Sequence, residues 1–122
     1  MVTAINRKVK QNKLHWQTKC GIQILSSIPI VIKAEDGYFY LYATGGNTWI
    51  HKSKDLVHWT YVGGAYEDDK KPSWEPEAGI WAPDINYING KYVMYYSLSK
   101  WGGGATCGIG VSVSDKPEGP FT

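Results

Sequence analysis

A chain of 122 residues that is 43% hydrophobic and 20% charged is long enough to hold one core and too apolar to be disordered. Its formal charge of +2 is unevenly spread: residues 1 to 26 hold five of the thirteen basic residues (Arg7, Lys8, Lys10, Lys13, Lys19) and no acidic one, leaving eight basic against eleven acidic residues in the rest. Scattered leader charges on an acidic body argue against a nucleic-acid partner, and the apolar run Ile28 to Ile32, broken by Pro29, is too short for a secretory or membrane-spanning segment.

Nine tyrosines, six tryptophans and fourteen glycines favour strands joined by tight turns, so the expected class is all-β. Residues 1 to 26 show neither strand alternation nor a helical stripe. From Pro29 onward the pattern is regular. PIVIKA (Pro29 to Ala34) is a first strand, and Glu35-Asp36-Gly37 a hairpin turn. YFYLYATG follows with Tyr38, Tyr40 and Tyr42 on one face. Thr48 to Asp55 and His58 to Tyr66 complete a four-stranded meander.

The pattern then recurs. Ala82 to Ile88, the turn Asn89-Gly90-Lys91, Tyr92 to Ser99 and Thr106 to Asp115 repeat the first three strands, and a fourth opens at Gly119-Pro120-Phe121-Thr122. Gly37 and Gly90 stand 53 residues apart, Tyr38 and Tyr92 54, Asp55 and Asp115 60, the drift falling in the loop after Ser99. Four-stranded units repeating with a period in the fifties point to blades of a β-propeller, with residues 29–66 as blade one, 67–81 as an inter-blade loop and 82–122 as an incomplete blade two. A sandwich would not require two meanders with matching turns.

Three stretches, VIKAEDGYFYLYATG, SKDLVHWTYVG and WAPDINYINGKYVMYYSLSKWGGGATCGIGVSVSDKPEGPFT, resemble in order and spacing the first two blades of the family 43 glycoside hydrolases, arabinanases above all. The resemblance covers residues 29 to 122. It implies a five-bladed propeller and hydrolysis of arabinan- or xylan-type linkages with inversion. A carboxylate base activates water and a carboxylic acid protonates the leaving oxygen, the two about 6.5–9.5 Å apart. The base belongs to an Asp-Pro motif just before the VIK segment, where this chain has Ile28-Pro29. The acid and a further tuning Asp belong to the third and fourth blades, beyond Thr122. By this resemblance the chain holds no catalytic residue, and residues 1–28 read as an unmatched leader arising from a frame error, a mispredicted start or a gene fusion.

The resemblance also implies sugar contact through Trp81, which opens WAPD, and Trp101, in the loop after Tyr92 to Ser99; both flank the family's cleft. Aromatic faces suit the apolar faces of sugar rings. Packing between blades is the competing role for both. Asp84 lies beside the expected cavity, but its motif is not the catalytic one, and bonding backbone at a strand start is its expected role. Glu67, Asp68, Asp69, Glu75 and Glu77 read as solvated loop charges. His15, His51 and His58 have no metal-ligand spacing, so no metal or other cofactor is expected. Gly102 to Gly104 lack the Lys-Ser/Thr of a phosphate loop. Cys20 and Cys107 read as free thiols.

The expected partner is an oligo- or polysaccharide of arabinan or arabinoxylan type, met by a chain inactive alone. A noncatalytic carbohydrate-binding or interaction module is the alternative. Blade faces without neighbours invite self-association. No compartment follows from the chain, although members of the family are often secreted or periplasmic.

Overall fold

A computed structural model describes residues 29–73, 79–100 and 107–122. It contains seven strands and no helix among them: β1 (Ile30–Lys33), β2 (Phe39–Ala43), β3 (Trp49–Ser53), β4 (Thr60–Gly64), β5 (Gly79–Ile88), β6 (Lys91–Ser99) and β7 (Gly108–Ser114). All pair antiparallel in chain order, as a four-stranded sheet β1-β2-β3-β4 and a three-stranded sheet β5-β6-β7. The expected meanders are present, with the tyrosine-rich strands β2 and β6 second in each.

Turn chemistry sets the hairpins. Asn89 and Gly90 have φ of 50° and 78°, the pair of positive values that a two-residue hairpin turn needs to match strand twist. At the first hairpin Asp36 accepts from the Tyr38 N–H (2.9 Å) and the Tyr40 hydroxyl (2.7 Å), and Gly37 takes φ 83°. The β3–β4 turn is built on Asp55. Its carboxylate accepts from the N–H groups of Val57 (2.9 Å) and His58 (2.8 Å) and from Ser53 Oγ (3.0 Å), and meets His58 Nδ1 at 2.6 Å. His58 is thus a surface hydrogen bonder.

The two sheets stack around one core. Tyr40, Tyr42 and Ile50 of the first face Ile80, Ile85, Tyr92, Met94, Tyr96 and Leu98 of the second. Tyr38 packs at the margin of this core, on the face of Tyr40 and Tyr42, with the Lys52 and Lys54 ammonium groups 5.2 and 5.1 Å from its ring. Phe121, fully buried, sets its ring edge-on to Tyr42 at 6.1 Å, and its N–H donates to the Ala65 carbonyl (2.8 Å). Thr122 exchanges two backbone hydrogen bonds with Val113, so the segment read as a fourth strand joins β7 here.

One boundary needs correction. The inter-blade loop expected to run to residue 81 ends earlier, because β5 begins at Gly79. Pro83, inside the expected strand Ala82 to Ile88, is admitted by a bulge, where the register slips between Trp81 and Asp84.

A Cβ added at Gly110 would lie 2.3 Å from Cζ of the buried Tyr96, so the ring or the strand must shift. Gly110→Ala is expected to cost about 1–3 kcal/mol in denaturant unfolding. Adding Tyr96→Leu should recover part of that loss, since the two changes share one contact. A second test uses the Asp55 turn. The His58 side chain first, then the His58 and Val57 N–H groups, hold the Asp55 carboxyl well below the usual carboxylate range. A depressed folded-state value means stability that is present above about pH 4 and is lost as pH falls through the folded value. Asp55 is solvent-exposed, so screening keeps the effect small. Acid titration of unfolding should show a shallower decline below pH 4 for Asp55→Asn than for the parent chain.

Candidate functional site at the β5 bulge

Pairing brings several segment ends to one end of the two sheets. Ile30 opposes Tyr42, which places Pro29 beside the close of β2, and β5 lies against β1 and β2. The Ala82 N–H donates to Thr44 Oγ1 at 3.0 Å, joining the residue after β2 to the start of β5, and Gly79 opposes Ser99.

At this end β5 departs from regular geometry. Trp81 opposes Ser97 and Asp84 opposes Tyr95, so Ala82 and Pro83 together face the single residue Tyr96. That two-against-one count is a β-bulge. Residues three apart in a regular strand point to opposite faces. The extra residue puts Trp81 and Asp84 on the same face, with Tyr95 beside them. Ala82 has φ 47°, a left-handed conformation that costs a non-glycine residue about 1–2 kcal/mol. Two side chains brace it: Thr44 on the Ala82 N–H, and Ser97, whose Oγ donates to the Trp81 carbonyl at 3.2 Å.

Trp81 is half-buried, its Nε1 buried and close to Gly79, where an added Cβ would stand 3.0 Å from that nitrogen. Asp84 is exposed and accepts from Asn86 Nδ2 at 3.3 Å. It is the sixth residue of β5 and bonds a side chain, so the expected role of bonding backbone at a strand start is not the one it fills; the strand begins earlier than its sequence announced. Tyr95, 42% exposed, adds a second aromatic surface on the same face. This arrangement sets apolar ring faces beside a carboxylate that accepts hydrogen bonds. Trp101, Gly102 to Gly104 and Ile28 lie outside the described residues, as do His15, Cys20, Glu75 and Glu77.

Sequence reasoning singled out Trp81 and Asp84 but not Tyr95, Thr44 or Ser97. The available signal was Pro83 inside a strand-like run, since proline within a sheet is confined to edges, strand starts and bulges. Elsewhere, His51 is buried beneath Tyr61, ring centres 5.3 Å apart, and burial lowers its pKa from the ordinary value. Among the described residues no three His, Cys, Asp or Glu side chains gather as metal ligands. Cys107 is exposed and in no disulfide.

The sequence profile of Glycosyl hydrolases family 43 matches residues 22–122. The chain belongs to this family. The match starts at residue 22, so it reaches to the left of Pro29, where the resemblance read from motifs stopped. Those motifs were three stretches of which the first opens at Val31, whereas a profile weighs every position of the run it matches. A probable arabinan endo-1,5-α-L-arabinosidase C of Aspergillus clavatus is 36% identical over 87 residues, 70% of this chain and 27% of that protein. Among solved structures, the α-L-arabinanase of Cellvibrio cellulosa is 32% identical with a TM-score of 0.65, over 77% of this chain and 32% of that one. The same enzyme complexed with arabinohexaose is 33% identical with a TM-score of 0.61, over 72% of this chain and 29% of that one. The chain therefore spans about a third or less of the family 43 proteins it matches, and its two sheets are part of a five-bladed β-propeller.

Gly79 leaves the space that the Trp81 indole uses. Gly79→Ala is expected to change the near-ultraviolet circular dichroism assigned to Trp81 by difference from Trp81→Phe, while stability moves by no more than about 1 kcal/mol. An unchanged Trp81 signal would show that the indole has room elsewhere.

Proposed function

We propose that the chain is the sugar-binding portion of an inverting family 43 glycosidase acting on arabinan or a related arabinose-containing hemicellulose, and that by itself it binds oligosaccharide without cleaving it. The observation that carries the second half is Ile28, before the Pro29 that leads into β1. The resemblance to the family sets the general base at this position, and an isoleucine accepts no proton. The acid and its tuning Asp belong to blades beyond Thr122. Each general acid or base contributes typically ~10²–10⁴ in rate, so a chain with neither has no route to turnover.

Binding falls to the face built by the β5 bulge. The Trp81 indole, with Tyr95 beside it, offers flat apolar area at low entropic cost, and Asp84 offers an acceptor for sugar hydroxyls. Trp101 is proposed as a further sugar contact. Support comes from the arabinanases among the relatives and from the bound arabinohexaose in one of them.

The assay is release of reducing ends from linear arabinan and arabinoxylan, alongside isothermal titration with arabinohexaose. The parent chain is expected to bind and release nothing. Trp81→Ala should weaken binding at least tenfold, the scale of a lost aromatic contact with a sugar ring. Ile28→Asp should leave this chain inactive but restore hydrolysis in a chain extended by the family's remaining blades. Hydrolysis by the parent chain, abolished by Asp84→Asn, would assign the base to Asp84 instead.

A second reading concerns self-association. Ile109 (77% exposed), Val111 (55%), Val113, Tyr95 and Ile88 lie on one face of the second sheet. An apolar sheet face of this kind seeks cover. Sedimentation velocity is expected to show concentration-dependent association that Val111→Lys weakens. A compact monomer at high concentration would dismiss it.

A further inference from the structure

We propose that Thr44, seconded by Ser97, is a positioning residue for sugar binding: its hydroxyl on the Ala82 N–H holds the bulge that puts Trp81 on the binding face. This inference rests on the reading of Trp81 as a sugar contact.

The argument starts from the bulge. Ala82 and Pro83 share one partner residue across the ladder, so the extra residue takes the Ala82 N–H out of register with β6. A buried backbone N–H needs an acceptor, and here the acceptor comes from blade one, Thr44 Oγ1 at 3.0 Å. Ser97 acts one residue earlier, on the Trp81 carbonyl. Between these two contacts Ala82 sits at φ 47°, a conformation alanine does not adopt unaided. Without them the favourable move is to relax φ and return the strand to regular pairing. Side-chain direction in a strand has a period of two, so losing one residue of slip carries Trp81 to the face opposite Asp84 and Tyr95. Thr44 belongs to blade one and Trp81 to blade two. One hydroxyl thus makes the binding face of the second sheet depend on its docking against the first.

The experiment labels the full chain with 5-fluorotryptophan, assigns the Trp81 resonance by Trp81→Phe, and follows it by fluorine NMR together with arabinohexaose affinity. Thr44→Val keeps the shape and removes the acceptor. It is expected to displace or broaden the Trp81 resonance, to leave the other tryptophan resonances in place, and to weaken binding about fivefold or more, the scale of one lost hydrogen bond. Thr44→Ser keeps the hydroxyl and should match the parent in both readouts. Ala82→Gly added to Thr44→Val should bring the Trp81 resonance back, because glycine takes positive φ without steric cost. A purely structural role for Thr44 would lower stability and leave Trp81 where it is.

An unmoved Trp81 resonance in Thr44→Val overturns the proposal. If Thr44→Val loses all its resolved resonances, Ser97→Ala is the deciding variant, and an unmoved Trp81 there overturns it equally. Failure of the underlying reading looks different: Trp81→Ala would bind arabinohexaose as the parent does, or the parent would not bind at all, while the Trp81 resonance still reports on Thr44.

Discussion

Five tyrosines are buried in the core, and pairing the hydroxyls of three of them across the interface between the two sheets is the constraint on which the rest of this chain depends. Tyr42, Tyr66 and Tyr92 carry large apolar rings into the interface, and each brings a hydroxyl that cannot be left without a partner there. Each finds it across the interface. The Tyr42 hydroxyl donates to the Pro117 carbonyl, Tyr66 to Ser112 Oγ at 3.0 Å, and Tyr92 accepts from the Glu35 N–H at 3.2 Å. Burial pushes the Tyr42 and Tyr66 phenols above their ordinary pKa, so both stay protonated. A slide of one sheet over the other would break all three bonds together. The interface is therefore fixed in position as well as in area.

That fixed interface is what lets one blade shape a site on the next. Asn47 bonds both the N–H and the carbonyl of Tyr66, while Ala65 donates to the Asn47 and Thr48 carbonyls, so the exit from blade one is tied back onto the β2–β3 turn. Phe121 then reaches Ala65 from the far end of blade two. Thr44, in the same turn, is thereby held at a set distance from the first residues of β5. A hydroxyl on a mobile loop would not keep an alanine at positive φ. One on a turn clamped at both sides does.

Much of the fold was legible because turn chemistry and alternation agreed. Asn89-Gly90 and Asp36-Gly37 marked hairpins, and the alternating Tyr38, Tyr40 and Tyr42 marked one face of β2 and its approach. The site was legible only in part. Trp81 and Asp84 stood out through a motif, but the loop was read to end at Trp81, so nothing in the pattern set the two on one face of a strand; the bulge does. Thr44 carries no sequence signal of its own. Its role arises from contact with a residue 38 positions away, across two sheets, which no local pattern encodes. Tyr95 was hidden for the opposite reason. It sits among tyrosines whose neighbours are core, and its exposure follows from which face the second sheet leaves open.

The open face joins the two properties proposed for the chain. Ser97, opposite Trp81, pairs on its other side with Ile109, and Tyr95, opposite Asp84, pairs with Val111. The proposed sugar platform and the exposed apolar row are therefore neighbouring strips of one surface. A body that covers Ile109 and Val111 comes to lie beside Trp81 and Asp84, and becomes a wall of the space in which a sugar would sit. In a closed propeller the next blade is that body, which gives the cleft its second side and dries the apolar row at once. Where a second copy covers it instead, the area buried is similar but the wall is a different one. Cover for the sheet and shape for the site are thus supplied by the same contact, and a chain that satisfies the first with the wrong partner alters the second.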